Sequence, residues 1–295
     1  MPFTLAHLSD IHLAPLPAPR PGELVNKRIT GYINWLRKRR FVHDRGTLDT
    51  LVADLKSQPY DHIAVTGDIV NIALEEEFVR GRRWLQQLDS FSNLSFVPGN
   101  HDAYVRQAVR YAPQWSPYMT GDDGAGGFPY VRRRGPLALI GLSTAVSTPP
   151  FMATGRLGPN QLGALGPLLD ALKAEGLFRV ILIHHPPVSA ARPHKRLTDA
   201  AALRQVIGAH GAELLLHGHD HLHMLNWLRG PDGAPVPAVG VPSASSAPGM
   251  SHDDAAYNLY AIDGTPGAWT CTMVSRGIGA NGAIVESTPT TLTSS

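Results

Sequence analysis

Aspartate, histidine and asparagine recur in five short segments of this chain: Asp10-Ile11-His12, Gly67-Asp68, Gly99-Asn100-His101-Asp102, His184-His185 and Gly218-His219-Asp220-His221. Imidazole nitrogens and carboxylate oxygens together suit Mn, Fe, Zn or Co, whereas an all-oxygen set points to Mg or Ca. Taken singly, each fragment is ordinary. Asp-x-His and Gly-Asp after a strand serve as caps and turns, and Gly followed by Asn tolerates the left-handed backbone a turn requires. Taken together they predict a site for two divalent transition-metal ions. Cys271, the only cysteine, is remote in sequence from every motif, so no thiolate is expected among the ligands.

Each segment follows a short apolar run. Phe3 to Leu8 leads into Asp10, His62 to Val65 into Asp68, Leu94 to Val97 into Asn100, Arg179 to Ile183 into His184, and Glu213 to Leu216 into His217 and Gly218. Such runs, ending in Gly, Asn, Asp or Pro, read as buried strands. In open α/β sheets ligands sit beyond the carboxyl ends of the strands, so five strand ends would deliver these polar residues to one edge. Consecutive residues on a strand face opposite ways. Only one of His184 and His185 should therefore face the metals. His7, His62, His210 and His217 read as core or surface histidines, and His223 and His252 as loop positions that could line a cleft.

In order and complete, these residues resemble the signature of the calcineurin-like metallophosphoesterase family, D-x-H, G-D, G-N-H-[D/E], H and G-H-x-H, over roughly residues 3 to 262. The resemblance implies that Asp10, His12 and His221 bind one metal, that Asn100, His184 and His219 bind the other, and that Asp68 bridges them. It favours His184 over His185 as the ligand. It leaves His101 outside the coordination shell as proton donor or charge stabiliser, with Asp102 behind it as an orienting carboxylate. The implied fold is the four-layer α/β/β/α sandwich of two mixed β-sheets flanked by helices.

The coarse map agrees. Helical patterns cover Glu23 to Ser57, Glu75 to Leu88, Asp102 to Tyr111, Asn160 to Ala174 and Asp199 to His210, and strand patterns cover His223 to Leu228, Val236 to Val241, Tyr257 to Ile262 and Trp269 to Val274. At 295 residues and 43% hydrophobic, one domain over residues 1–276 is expected, with the Ser/Thr-rich stretch 277–295 as a flexible tail. One cysteine, no 18-residue apolar run and no signal-peptide pattern predict a cytoplasmic protein. A net charge of +2 is too mild to argue for nucleic acid.

One segment departs from a minimal fold. Over residues 24–42, Val25, Ile29, Tyr32, Ile33 and Leu36 share a helical face, and Arg37-Lys38-Arg39-Arg40 form a basic cluster. Two readings follow: a helix packed on the sheet with a solvated charged side, or an interfacial helix over residues 25–41 at an anionic membrane, peripheral to its inner face.

The expected chemistry is hydrolysis of a phosphate ester. Two ions roughly 3.5 to 4 Å apart would hold a hydroxide that attacks phosphorus in line, with His101 protonating the leaving oxygen. Neither Gly-x-Ser-x-Gly nor a P-loop is present. Gly67-Asp68-Ile69-Val70-Asn71 lacks the arginine of the protein phosphatases of this superfamily. The Gly-Asn-His-Asp and His-His-Pro-Pro context is closer to the bacterial phosphodiesterases, which include cyclic-nucleotide and glycerophosphodiester hydrolases. Alternatives are a lipid-linked pyrophosphatase of the UDP-diacylglucosamine type, whose best-known form has Arg where His101 stands, a nuclease, and an inactive scaffold.

Overall fold

The computed structural model describes every residue except Met1, Ser251, Ala280 and Ser295. Strands β1 (Phe3–Leu8), β2 (His62–Val65) and β3 (Leu94–Phe96) form the parallel part of a seven-stranded sheet. The later strands β10 (Ala256–Thr265) and β11 (Ala268–Ile278) extend it antiparallel beside β1. A second, six-stranded sheet has the order β4 (Tyr130–Arg134), β5 (Leu137–Gly141), β6 (Phe178–Leu182), β7 (Leu214–His217), β9 (Pro235–Gly240), β8 (Met224–Arg229). Its four inner strands are parallel and its two edges antiparallel.

Three cores separate four layers. Leu5, Ala64, Tyr260 and Ile262 of the first sheet meet Leu139, Val180, Leu182 and Leu216 of the second. Outside the first sheet lie helices α3 (Arg45–Ser57) and α4 (Glu75–Leu88), through Leu51, Leu55, Phe78 and Leu85. Outside the second lie α5 (Gly158–Ala174) and α6 (Ala200–His210), through Leu165, Leu169, Leu203 and Ile207. The inner strands are buried on both faces, which is why they read as continuous apolar runs. The fold is the expected α/β/β/α sandwich.

Alternation along β6 also separates the paired histidines. Val180 and Leu182 face the other sheet while Ile181 and Ile183 face the helices. His184 continues the first set and His185 the second.

Three sequence expectations are corrected. The helix over Glu23 to Ser57 is broken into α1 (Arg28–Asn34), a π-helical turn (Trp35–Arg39), the short α2 (Arg40–Val42) and α3, because His43 and Asp44 are extended and the Asp44 carboxylate caps α3 at the Thr47 amide, 2.6 Å away. Asp102 to Tyr111 is turns and a short 3₁₀ segment, Arg106–Arg110, rather than an α-helix. Among the described residues from 277 onward, two short strands are found where a loose tail was expected. Ile284–Glu286 (β12) and Thr290–Ser294 (β13) both pair with β11, and Leu292 is 3% exposed within the inter-sheet core. Threonine favours the extended backbone, and one buried leucine supplies the docking that a polar tail would lack. Ala280 and Ser295, part of the expected tail, lie outside the described residues.

The docked tail has a measurable consequence. Leu→Ala at buried sites costs about 2 to 5 kcal/mol, and an edge strand that can relax belongs near the lower end. Leu292→Ala is therefore expected to lose about 2 kcal/mol in urea unfolding, whereas a loss below about 0.5 kcal/mol, the range of surface substitutions, would restore the frayed tail.

Candidate metal centre

The five motif loops are tied together by their own backbones. The Asp10 amide donates to the Gly67 carbonyl at 3.0 Å and the His12 amide to the Asp68 carbonyl at 2.9 Å. The His101 amide donates to Asp68 Oδ1 at 2.7 Å, and the His219 amide to Asp10 Oδ2 at 2.9 Å. Each carboxylate thus spends one oxygen on a neighbouring loop and keeps the other for the interior. The loops are also strained: Asp10, His12, Asp68, His219 and His221 have φ of 53°, 40°, 57°, 73° and 55°. Left-handed backbone at non-glycine residues costs about 1 to 3 kcal/mol each and collects where geometry serves a ligand. A side chain on Gly218 would collide with Ser9 and Asp10, which explains that glycine.

The free atoms fall into two sets. Asp10 Oδ1 and His12 Nε2 are buried with no hydrogen-bond partner. They lie 3.8 Å apart, and His221 Nε2 lies 3.1 Å from the same Asp10 oxygen. In the second set His184 Nε2 lies 3.3 Å from Asn100 Oδ1 and 3.3 Å from Asp68 Oδ2. Asp68 Oδ2 is also 3.9 Å from His12 Nε2, so one oxygen looks toward both sets. Two ligands each about 2.1 Å from a metal, at angles of about 90° to 130°, are themselves about 3.0 to 3.8 Å apart. The spacings of 3.1 to 3.8 Å within each set fit that requirement, and the 3.9 Å from His12 to Asp68 lies just beyond it.

Tautomers agree with it. His184 Nδ1 is bonded to the Thr66 carbonyl (2.6 Å), His12 Nδ1 faces the Val70 carbonyl (3.2 Å), and His219 Nε2 faces the Lys195 carbonyl (2.7 Å). Each ring spends one nitrogen on a carbonyl, as metal-binding histidines do, and in His12 and His184 the other nitrogen faces the ligand sets. His185 does not: its Nδ1 is 2.7 Å from Thr144 Oγ1 and its Nε2 3.1 Å from the Ala153 carbonyl. It is a satisfied buried residue although it stands beside His219.

The electrostatics favour a cation. Burial opposes charge on His184, but Asp68 and Asp10 outweigh it and push the imidazole up to about 10. Burial likewise works against the Asp10 anion, yet His221 and His184 hold its carboxyl well below the usual range. Two buried carboxylates therefore place a negative potential where the imidazoles converge, and divalent ions would neutralise it.

His101 is brought to the same place. Its Nδ1 is 2.5 Å from the Asn71 carbonyl, which leaves Nε2 facing the cleft. Asp102 corrects the sequence reading. Rather than standing behind His101, its carboxylate accepts from the amides of Gly99, Asp68, Ile69 and Val70 at 2.8 to 3.2 Å. It fixes the two loops to each other and so acts on the site through Asp68 and Asn100. Burial and the Asp68 charge push it up to about 7 against the pull of those amides.

Two residues were missed. His43 lies tilted against His12 with ring centroids 4.3 Å apart, and its Nδ1 is 2.9 Å from Ser245 Oγ. Arg39, expected in a basic cluster facing solvent or an anionic membrane, reaches His101, His12 and His43. No local pattern marks His43, because the chain break that aims it depends on Ser245, 202 positions away. His252 lines the cleft beside His221, their ring centroids 5.4 Å apart. His223 does not line it; its amide bonds Asp253. The cleft over these candidate ligands encloses about 1030 Å³ and is bounded by Lys27, Lys38 and Lys195 as well as Ile33, Phe151 and Met152.

Comparison with known proteins gives the same fold. A dimetal phosphatase of Danio rerio superposes with a TM-score of 0.63 at 17% identity, covering 100% of both chains. The purple acid phosphatase PPD1 of yellow lupin gives 0.59 at 12% identity, covering 97% of this chain and 53% of its own. GAP50, an anchor in the inner membrane complex of Plasmodium, gives 0.50 at 11% identity, covering 99% and 89%. At these identities the likeness is one of fold. No curated protein sequence matches. The family profile of calcineurin-like phosphoesterases matches residues 3–223, the stretch that holds all five motifs. The chain belongs to the calcineurin-like phosphoesterase family, and its site is that of a metal-dependent phosphoric ester hydrolase.

Proposed function

We propose that this chain is a dinuclear phosphodiesterase in which Asp10, His12 and His221 hold one divalent ion, Asn100, His184 and His219 hold the other, and Asp68 is shared. The observation that carries the reading is the Asp68 Oδ2 atom, which faces His184 of one set and His12 of the other. Bound there, the two ions supply Lewis acidity and lower the pKa of a water toward neutrality. The protein supplies the rest. Asp102 keeps the Asp68 and Asn100 loops in register. His101, its Nδ1 donating to the Asn71 carbonyl, turns Nε2 toward the Arg39 guanidinium at the cleft, where as a neutral acceptor it can help stabilise developing charge.

A diester is favoured over a monoester by the cleft. Its 1030 Å³ and its apolar wall of Ile33, Phe151, Met152 and Leu222 leave room for organic groups on both sides of a phosphate. The test is a hydrolysis screen with added Mn, comparing bis(p-nitrophenyl) phosphate with p-nitrophenyl phosphate, cyclic AMP, glycerophosphodiesters, UDP-diacylglucosamine and single-stranded DNA. Diesters are expected to turn over faster than the monoester. A clear preference for p-nitrophenyl phosphate would overturn the diester assignment.

A second reading, action on a lipid-linked phosphate at an anionic membrane, is supported by the insertion. Its apolar stripe does not pack on the sheet: Val25, Ile29, Ile33 and Leu36 are 82%, 48%, 43% and 41% exposed. The opposite face packs instead, with Arg28 4% and Trp35 6% exposed and Gly31 pressed against Tyr104 and Ile72. Exposed apolar residues beside exposed Arg37, Lys38 and Arg40 suit an anionic lipid surface. Each cation near such a surface contributes about 1 kcal/mol, so replacing these three by Gln should weaken partition onto phosphatidylglycerol vesicles by roughly two powers of ten. Wild-type protein that stays in the supernatant at low salt would refute membrane binding.

A further inference from the structure

The insertion sends one cation into the cleft for which the two-metal reading has no task. Arg39 Nη1 lies 2.7 Å from His101 Nε2, and Nη2 lies 3.2 Å from His43 Nε2 and 2.9 Å from His12 Nδ1. Nε is sealed from solvent and has no partner. Asp68 and Asp10 act on the guanidinium only through space. The His12 contact is weaker than its distance suggests. The tautomer that frees His12 Nε2 puts the proton on Nδ1, where the Val70 carbonyl accepts it, so that nitrogen cannot also accept from Arg39. A guanidinium with spare donors in a desolvated pocket is a site for an anion.

Local structure explains how a residue of a basic run comes to point inward. The Arg40 amide reaches the Trp35 carbonyl five residues earlier, the mark of a π-turn. The extra residue in that turn rotates Arg39 away from Arg37, Lys38 and Arg40, which stay in solvent. The insertion is also anchored on both sides of the cleft. Arg28 donates to the carbonyls of Ile72 and Ala73, and Lys27 donates to Thr148 Oγ1 and the Met152 carbonyl while lying over the Tyr104 ring. Tyr104 in turn stacks on His101, their centroids 5.5 Å apart. The guanidinium is therefore carried by a braced element.

We propose that Arg39 binds a non-bridging oxygen of the substrate phosphate beside the candidate metal ligands, which makes the insertion of residues 24–42 part of the active site. His43 and His101 are positioning residues that accept from the guanidinium and aim its free edge. The organic part of the substrate then lies against Ile33, Phe151 and Met152. This proposal rests on the two-metal reading above.

Inorganic phosphate is the probe. It is titrated calorimetrically into the Mn-loaded wild type, Arg39→Gln and Arg39→Lys, with metal content and thermal melting recorded for each. Turnover of bis(p-nitrophenyl) phosphate is followed on the same samples with and without added guanidinium. Arg39→Gln is expected to keep its metals and melting temperature, to bind phosphate at least about tenfold more weakly, and to lose roughly 10²- to 10³-fold in kcat/KM, the scale of a preorganised donor. Added guanidinium should restore part of that loss, which a merely structural arginine would not show. Arg39→Lys keeps the charge but cannot span two oxygens; it is expected to weaken phosphate several-fold, so the test does not depend on the neutral variant folding. Phosphate affinity and kcat/KM of Arg39→Gln within about threefold of wild type would overturn the assignment, as would loss of metal from that variant. Turnover untouched by Arg39→Gln removes the arginine and leaves the metals standing. Phosphate bound through Arg39 by a protein that cleaves no ester would do the reverse.

Discussion

Asp68→Ala should abolish hydrolysis of bis(p-nitrophenyl) phosphate and reduce bound metal from about two ions per chain to about one or fewer. The reason is the division of labour between its two oxygens. Oδ1 accepts the His101 amide and so shapes the Gly99 to Asp102 loop, while Oδ2 faces both ligand sets. Removing the carboxylate takes away the shared ligand, orphans a buried amide and leaves His184 without its nearest negative charge. Two retained metals per chain, measured by elemental analysis on a folded variant, would refute the bridge.

His101→Ala should behave differently: full metal content and a rate lower by roughly 10²- to 10³-fold, the scale of a preorganised donor that loses its orientation. The geometry makes this a sharp test, because ligating atoms of His12, Asp68 and His101 also come within 4.8 Å of one another and could form a metal set of their own. Against that set stands the Arg39 guanidinium, which lies 2.7 Å from His101 Nε2, where a cation on that nitrogen would be repelled. Loss of metal from His101→Ala would show that it is a ligand after all.

The contrast between those residues and Arg39 shows what is legible in such a chain. Strands buried on both faces leave an apolar run, and the residue that follows each run needs only the strand direction to be placed. Asp10, Asp68, Asn100, His184 and the His219 and His221 pair follow the ends of their strands as the apolar runs predict, and alternation along β6 sets His184 and His185 on opposite faces. Other features depend on contacts distant in sequence. Arg37 to Arg40 look alike, and only a π-turn braced on Tyr104, Ile72 and Ala73 turns Arg39 away from the others. Asp102 follows His101 and was read as its partner, but four amides from two loops compete for that carboxylate and win. The β4 and β5 hairpin was missed because β4 carries three arginines. Arg132 is nonetheless 3% exposed, satisfied by carbonyls such as those of Thr120 and Leu94. The apolar stripe of the insertion followed the helical period correctly and was still ambiguous, since periodicity identifies a face without saying which side of the helix is covered.

Whether two ions share Asp68 can be read from anomalous diffraction of crystals soaked in Mn. Two peaks about 3.5 to 4 Å apart are expected, one within bonding distance of Asp10, His12 and His221, the other of Asn100, His184 and His219, with Asp68 between them. A single peak, or a pair in which Asp68 touches only one ion, would contradict it.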